Sequence, residues 1–114
     1  MDVDRVATEW LRGVLPLCAL AALAEGEAHG YAIVTRLADA GVGRVKGGAM
    51  YPVLNRLETE GAVTSAWREG VAGPGRKVFV LTEDGRRRLA ALTGPWHDSA
   101  LAVGRLVHAG AEVV

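Results

Sequence analysis

GGAMYPVLNRLETEGAVTSAW, residues 47 to 67, is the stretch whose reading decides the fold. Met50, Val53, Leu54 and Leu57 fall at i, i+3, i+4 and i+7, which puts four apolar side chains on one side of a 3.6-residue helix, the side that faces a core. Pro52 has no N–H and its ring clashes with the carbonyl four residues back, so it belongs in a first turn and sets the expected helix start near Gly48 or Ala49. At about 100° per residue, Tyr51, Asn55, Arg56 and Thr59 project away from the apolar stripe, with Gly48 and Pro52 bare between them. An aromatic, an amide and a guanidinium near a helix N-terminus suit base edges and phosphates. Taken alone, such a helix is more often a solvated surface element. Gly61 is its expected C-cap.

The neighbouring segments change that balance. HGYAIVTRLADAG (29 to 41) reads as a short helix with Ile33, Val34 and Leu37 inward, and Gly30 in its first turn implies close approach to a neighbour. The linker VGRVK (42 to 46) then leads into the pivotal helix, making a helix-turn-helix in which the second helix enters a major groove. AVTSAWRE (62 to 69) and RKVFVLT (76 to 82) are rich in β-branched and aromatic residues, and GVAGPG (70 to 75) between them is a loop no helix crosses. They form a β-hairpin, a wing whose tip Gly73-Pro74-Gly75 is followed at once by Arg76 and Lys77, cations suited to phosphates or a narrow minor groove. Val78 and Phe79 are both apolar, so alternation leaves open which strand face is inside.

Flanking helices complete the chain. Residues 4 to 25 read as a first helix, interrupted or bent near Gly13 and Pro16, and apolar almost all round from Val14 to Ala24. One side suits the core; the other asks for a second subunit or element. Thr82 is the expected N-cap of a last helix, with Glu83 and Asp84 at the positive end of its dipole. Leu89, Leu92, Trp96, Ser99, Val103, Leu106 and Gly110 then follow at heptad spacing, with a kink expected at Gly94-Pro95. A helix over residues 83 to 109 extends roughly 40 Å, too long to pack on so small a domain, so the overhang asks for a twin.

The chain has 114 residues, half of them hydrophobic and 23% charged, which fits one folded domain and excludes disorder. Thirteen Lys and Arg balance thirteen Asp and Glu, so net charge gives no support to a nucleic-acid partner; the clustering of Arg44, Lys46, Arg68, Arg76 and Lys77 around the pivotal helix does. Arg86 to Arg88 read as a solvated face. Cys18 is the only cysteine and lies in an apolar run, so it is expected as a small buried hydrophobe with no internal disulfide. Val14 to Ala24 is too short to span a bilayer, and the acids before it do not suit a signal peptide, so a cytoplasmic location is expected.

In their order these segments resemble the PadR-like transcriptional repressors. The matching pieces are LRG (11 to 13), HGYAI (29 to 33), GGAMYPVLNRLETEGAV with SAW (47 to 67), GPGRK followed by FVLTEDG (73 to 85), and Trp96. The resemblance implies a mainly α fold with a small β-hairpin, a winged helix-turn-helix over residues 1–82 and a C-terminal dimerisation helix and tail over 83–114. It implies a homodimer joined through the first and last helices, with Leu89, Leu92, Trp96, Val103 and Leu106 on the last one, bound to a double-stranded inverted-repeat operator. DNA contacts are then expected from Tyr51, Pro52, Asn55, Arg56, Lys46 and Gly48, from Arg76 and Lys77 on the wing, and from Tyr31. The chain is similar to the short subgroup with one C-terminal helix, in which an aromatic of that helix stacks on flat ligands between subunits. Trp96 matches that position, and Trp10 is its candidate neighbour, for a small aromatic or planar effector. Plain dimer packing is an equal reading of Trp96, while Trp67 is taken as structural. The pattern is departed from in two places: Ala49 stands where Thr is frequent, and Gly94-Pro95 beside Trp96 is unusual and would reshape or close the pocket.

No cofactor or metal is expected. The three His are scattered, a lone cysteine excludes a CxxC zinc site, and there is no HExxH or phosphate loop, so an enzyme is not expected either. The alternative is a winged-helix protein–protein interaction module without DNA binding.

Overall fold

Met50, Leu54 and Leu57 are fully buried and Val53 is partly so, and the rest of the chain is arranged around them. A computed structural model describes residues 1–70 and 73–114. Its elements are α1 (Val3–Leu23), β1 (Ala28–His29), α2 (Gly30–Asp39), α3 (Gly47–Thr59), β2 (Val63–Arg68), β3 (Arg76–Leu81) and α4 (Glu83–Val113). Leu15, Ala19, Leu20 and Leu23 of α1 and Ile33 and Leu37 of α2 close the core over α3, and Phe79 seals it from the sheet side.

Three of the four helices open on a side-chain cap. Asp2 Oδ1 accepts from Arg5 N–H at 3.1 Å, His29 Nδ1 from Ala32 N–H at 3.2 Å, and Thr82 Oγ1 from Gly85 N–H at 3.0 Å. The start of α3, after Lys46, carries no such cap. It begins at Gly47, slightly earlier than Pro52 implies, so the proline stands in the second turn and leaves the Gly48 carbonyl without its helical donor. The ends of α2 and α3 share one device. Gly61, with φ +80°, lets Ala62 N–H reach Leu57 O and its own N–H reach Glu58 O; Gly41, with φ +84°, does the same for Leu37 and Ala38. Both turns absorb carbonyls that would otherwise face the interior unpaired.

The wing hairpin acquires a third strand. Residues Ala28–His29, at the end of the connection from α1, pair antiparallel with β3, giving the order β1-β3-β2. Two residues are too short a run for any alternation to show. With β3 in the centre, both of its faces are covered: Phe79 enters the core, and Val78 lies on the other face, flanked by Ala66 and His29. Val71 and Ala72 of the wing loop lie outside the described residues.

Neither flanking helix is broken. α1 continues through Gly13 and Pro16, and α4 through Gly94 and Pro95, because the backbone on either side of each proline keeps helical bonds. α1 is long and apolar enough to cross a membrane by composition alone, but its Leu15, Ala19, Leu20, Ala22 and Leu23 are used in the core. α4 has 31 residues, about 46 Å of helix at 1.5 Å per residue, against a long axis of 56 Å for the molecule. Gly85 is buried at its start and Leu89 leans on the core; from Ala90 to Val114 every residue but Gly104 is exposed.

Candidate nucleic-acid interface

The outer face of α3 is open. Pro52, Asn55, Arg56 and Thr59 are exposed, and nothing crowds Gly48. Tyr51, expected on this face, is only 44% exposed: its ring packs on Gly30 and meets Phe79 at 6.5 Å with a 58° tilt. The close approach foreseen at Gly30 is therefore to this ring. Tyr51 both borders the open face of α3 and joins α3 to α2 and β3. Arg56 is held by Glu60, whose Oε2 accepts from its Nε at 3.1 Å, and Glu60 also accepts from Arg88 Nη1 at 2.7 Å. The hydrogen bonds from Arg88, then Arg56, hold the Glu60 carboxyl below its ordinary range.

On the wing, alternation separates two cations expected to act together. Arg76 turns toward the start of α2, where Nη1 lies 2.9 Å from His29 Nε2. Lys77 turns toward α3: its Nζ is 3.6 Å from Glu58 Oε1 and 5.3 Å from the Phe79 ring centroid. Glu58 also accepts a short hydrogen bond from Ser65, so this carboxylate clamps the hairpin to the pivotal helix. Arg68, opposite Arg76 in the ladder, forms a two-pronged bridge to Glu27, both N···O distances being 3.1 Å. That pairing lowers the Glu27 pKa and raises that of Arg68.

His29 is a participant that sequence reading missed. A neutral imidazole has a single acceptor nitrogen, so His29 satisfies either Ala32 N–H or the Arg76 guanidinium, not both. Capping α2 through Nδ1 leaves Arg76 in contact but unanchored. Tyr31, 74% exposed, stacks on His29 at 6.4 Å with planes 12° apart. His29, Tyr31 and Arg76 thus gather beside Gly30, against which Tyr51 is packed. The only sequence signal was a histidine directly before a glycine at a helix start.

Trp10 and Trp96, expected at one pocket, are surface side chains of this chain, 66% and 46% exposed. An early Trp is ordinarily core; this one stands on the outer side of α1. Two surface depressions, both between α1 and the segment 44–53, contain neither ring. Trp67, taken as structural, is 65% exposed on β2, though a side chain at Gly75 would run into its indole. Leu92, Val103 and Leu106 are exposed along α4, and Leu89 is not. Cys18 is half-buried and desolvation raises its thiol pKa, as suits a packing residue. Among the described residues no group of His, Cys, Asp and Glu could hold a metal ion.

A sequence profile described as "Transcriptional regulator PadR-like family" matches residues 19–91. The chain is similar to transcriptional regulator Rv3488 of Mycobacterium tuberculosis, with 39% identity over 85 residues that make up 75% of each protein. Among solved structures, a PadR family transcriptional regulator from Eggerthella lenta aligns with a TM-score of 0.78 and 34% identity, covering 92% of this chain and 91% of that one. A PadR-like transcriptional regulator from Bacillus cereus aligns with a TM-score of 0.74 and 29% identity, covering 87% of this chain and 96% of that one.

Proposed function

This chain belongs to the transcriptional regulator PadR-like family, and from that membership and the interface geometry we propose a DNA-binding repressor that acts as a homodimer on an inverted-repeat operator. The observation that carries the reading is the exposed ridge of Gly48, Pro52, Asn55 and Arg56 on α3, bordered by Tyr51 and by the wing side where Arg76 and Tyr31 stand. α3 lies in the major groove: Asn55 and Arg56 suit base edges, and Lys46, at the uncapped start of the helix, suits a phosphate. Arg76 reaches the backbone beside the wing; Lys77, tied to Glu58, contributes charge and holds the wing's angle.

Residues 1–82 serve as the DNA-binding unit and 83–114 as the dimerisation helix and tail. Two α4 helices pair through Leu92, Trp96, Val103 and Leu106, with Leu89 at the edge of each core, and exposed Val3 and Trp10 of α1 join that interface. The symmetry axis sets two α3 helices about one turn of DNA apart. A planar aromatic effector between the Trp96 rings would favour a different spacing of the two reading helices and so release DNA, provided its affinity differs between the two arrangements. The protein works in the cytoplasm and performs no catalysis.

A footprint and gel-shift series on the DNA upstream of its own gene tests this. The wild type protects a symmetric site and loses affinity steeply with salt. Tyr51→Ala weakens the specific complex more than binding to random duplex, and Arg76→Ala lowers the salt slope. Failure to protect any site, with retention of a protein partner instead, would favour a winged-helix interaction module.

A further inference from the structure

Arg5 and Arg12 of α1 and Arg44 and Lys46 of the α2–α3 connection line one groove that runs up to the start of α3. Among the described residues none of these four cations makes an ion pair; elsewhere Arg36, Arg56, Arg68, Lys77, Arg87 and Arg88 do and Arg76, Arg86 and Arg105 do not, but only in the groove do unpaired cations gather. The one acid lining the groove is Glu9, which forms no ion pair with any of the four and leaves the lining with a surplus of three positive charges. Four like charges kept near each other without partners cost stability, and the loss is recovered when an anion is shared among them.

Position on α3 says which anion. Gly48, Ala49 and Val53 form the groove wall, and Ala49 and Val53 stand about 100° and about 140° around the helix from Gly48, on the Arg56 side of the ridge. Tyr51 and Glu58, which touch Gly30 and the wing, lie on the other flank. The reading ridge is thus bracketed, with the wing on one side and the cationic groove on the other. Along α1, Arg5, Thr8, Arg12 and Leu15 share the groove face, while Val3 and Trp10 project to the opposite side, the one assigned above to the second copy. The groove face is therefore open when the dimer forms.

We propose that this groove seats the sugar-phosphate backbone of the duplex, so that Arg5 and Arg12 contact phosphates outside the segment read by α3 and the wing. The inference rests on the DNA-binding reading and extends its footprint. The backbone crosses from Lys46, which borders both surfaces, onto Arg44 and Arg12 and then Arg5 at the outer end. The contacts carry no base information; they add affinity and salt dependence and make binding sensitive to the length of DNA flanking the operator.

The test uses the whole chain and two duplexes centred on the footprinted site, one trimmed to the inverted repeat read by α3 and the wing and one carrying flanks. On the flanked duplex, Arg5→Ala plus Arg12→Ala lowers the slope of log K against log salt by about 2 per protomer, roughly 0.9 for each lost phosphate contact. On the trimmed duplex the variant and the wild type bind alike. Tyr51→Ala weakens binding to both duplexes, which separates loss of the groove from loss of the reading head. Should the double variant fail to fold, Arg44→Ala carries the same comparison. A variant that keeps the wild-type slope and flank dependence overturns the proposal, and a wild type that retains neither duplex overturns it together with the DNA-binding reading.

Discussion

Gly30 and Tyr51 are fitted to each other: a Cβ built on Gly30 would lie 2.6 Å from Tyr51 Cζ and 2.8 Å from its hydroxyl. The glycine is therefore part of how the pivotal helix is aimed. Gly30→Ala should displace the ring and destabilise the fold by about 1–3 kcal/mol, the usual range for an extra methyl in a packed contact. In a Tyr51→Ala background the same substitution should cost little, because the clash has no partner. Urea midpoints of the four proteins in this cycle measure the coupling. Additive effects would mean that the ring moves aside freely and sets no geometry.

How much of this was legible in the sequence depends on the distance over which each contact acts. The stripe Met50, Val53, Leu54 and Leu57 is a local period and gave α3 its inner face; the Thr82 cap and the Gly61 stop were local as well. What did not show are contacts between segments far apart in the chain. Glu27 and Arg68 are 41 residues apart and His29 and Arg76 are 47 apart, and no periodicity encodes such partners. β1 is invisible for the same reason, since two residues become a strand only because β3 offers a free edge beside them. Tyr51 was read as outward from its angle on the helix, but the missing side chain at Gly30 draws its ring back.

Arg56 and Arg88 meet on Glu60, and this exposed network predicts a pH dependence. The folded-state pKa of Glu60 is depressed below its ordinary value of 4.5, as is that of Glu27 through Arg68. A depressed carboxyl contributes stability above the unfolded-state pKa, and the contribution is lost as pH falls through the folded-state value. Melting temperature should therefore fall on acidification below about pH 4.5, and Glu60→Gln should make that fall shallower. Both carboxylates are solvent-exposed, so added salt should shrink the difference. An identical acid limb in wild type and variant would show that the ion pairs are not formed in solution.

Gly85 is buried where α4 begins, and a Cβ there would run into the Ala62 carbonyl, a backbone atom just beyond the α3 cap. Because Thr82 Oγ1 contacts the Gly61 and Ala62 carbonyls at 2.7 and 2.9 Å, this junction fixes the angle at which α4 leaves the domain. Gly85→Ala should cost about 1–3 kcal/mol, since the obstructing atom cannot rotate away. Gly13→Ala in α1, with nothing within 4 Å, is the opposite case and should stabilise that helix by up to about 1 kcal/mol. Thermal melts of the two variants at matched protein concentration make the comparison, and similar losses in both would remove the junction's special role.

α4 exposes Leu101, Val103, Leu106 and Val107 beyond the turn that leans on the core, with Leu106 74% and Val103 60% exposed. An isolated helix of this kind gains little from water, and most of its stability has to come from packing an apolar face. If two copies pair along it, Leu106→Glu puts like charges close to the seam and should convert the dimer to a monomer in sedimentation at micromolar concentration. Each buried Leu lost would remove roughly 1.5–3 kcal/mol of transfer energy before charge repulsion is counted. Helical content should fall together with the dimer, because the C-terminal half of α4 frays once unpartnered, and operator affinity should fall with it since a single reading helix remains. A wild type that sediments as one copy and keeps its full helical content would refute pairing through this face.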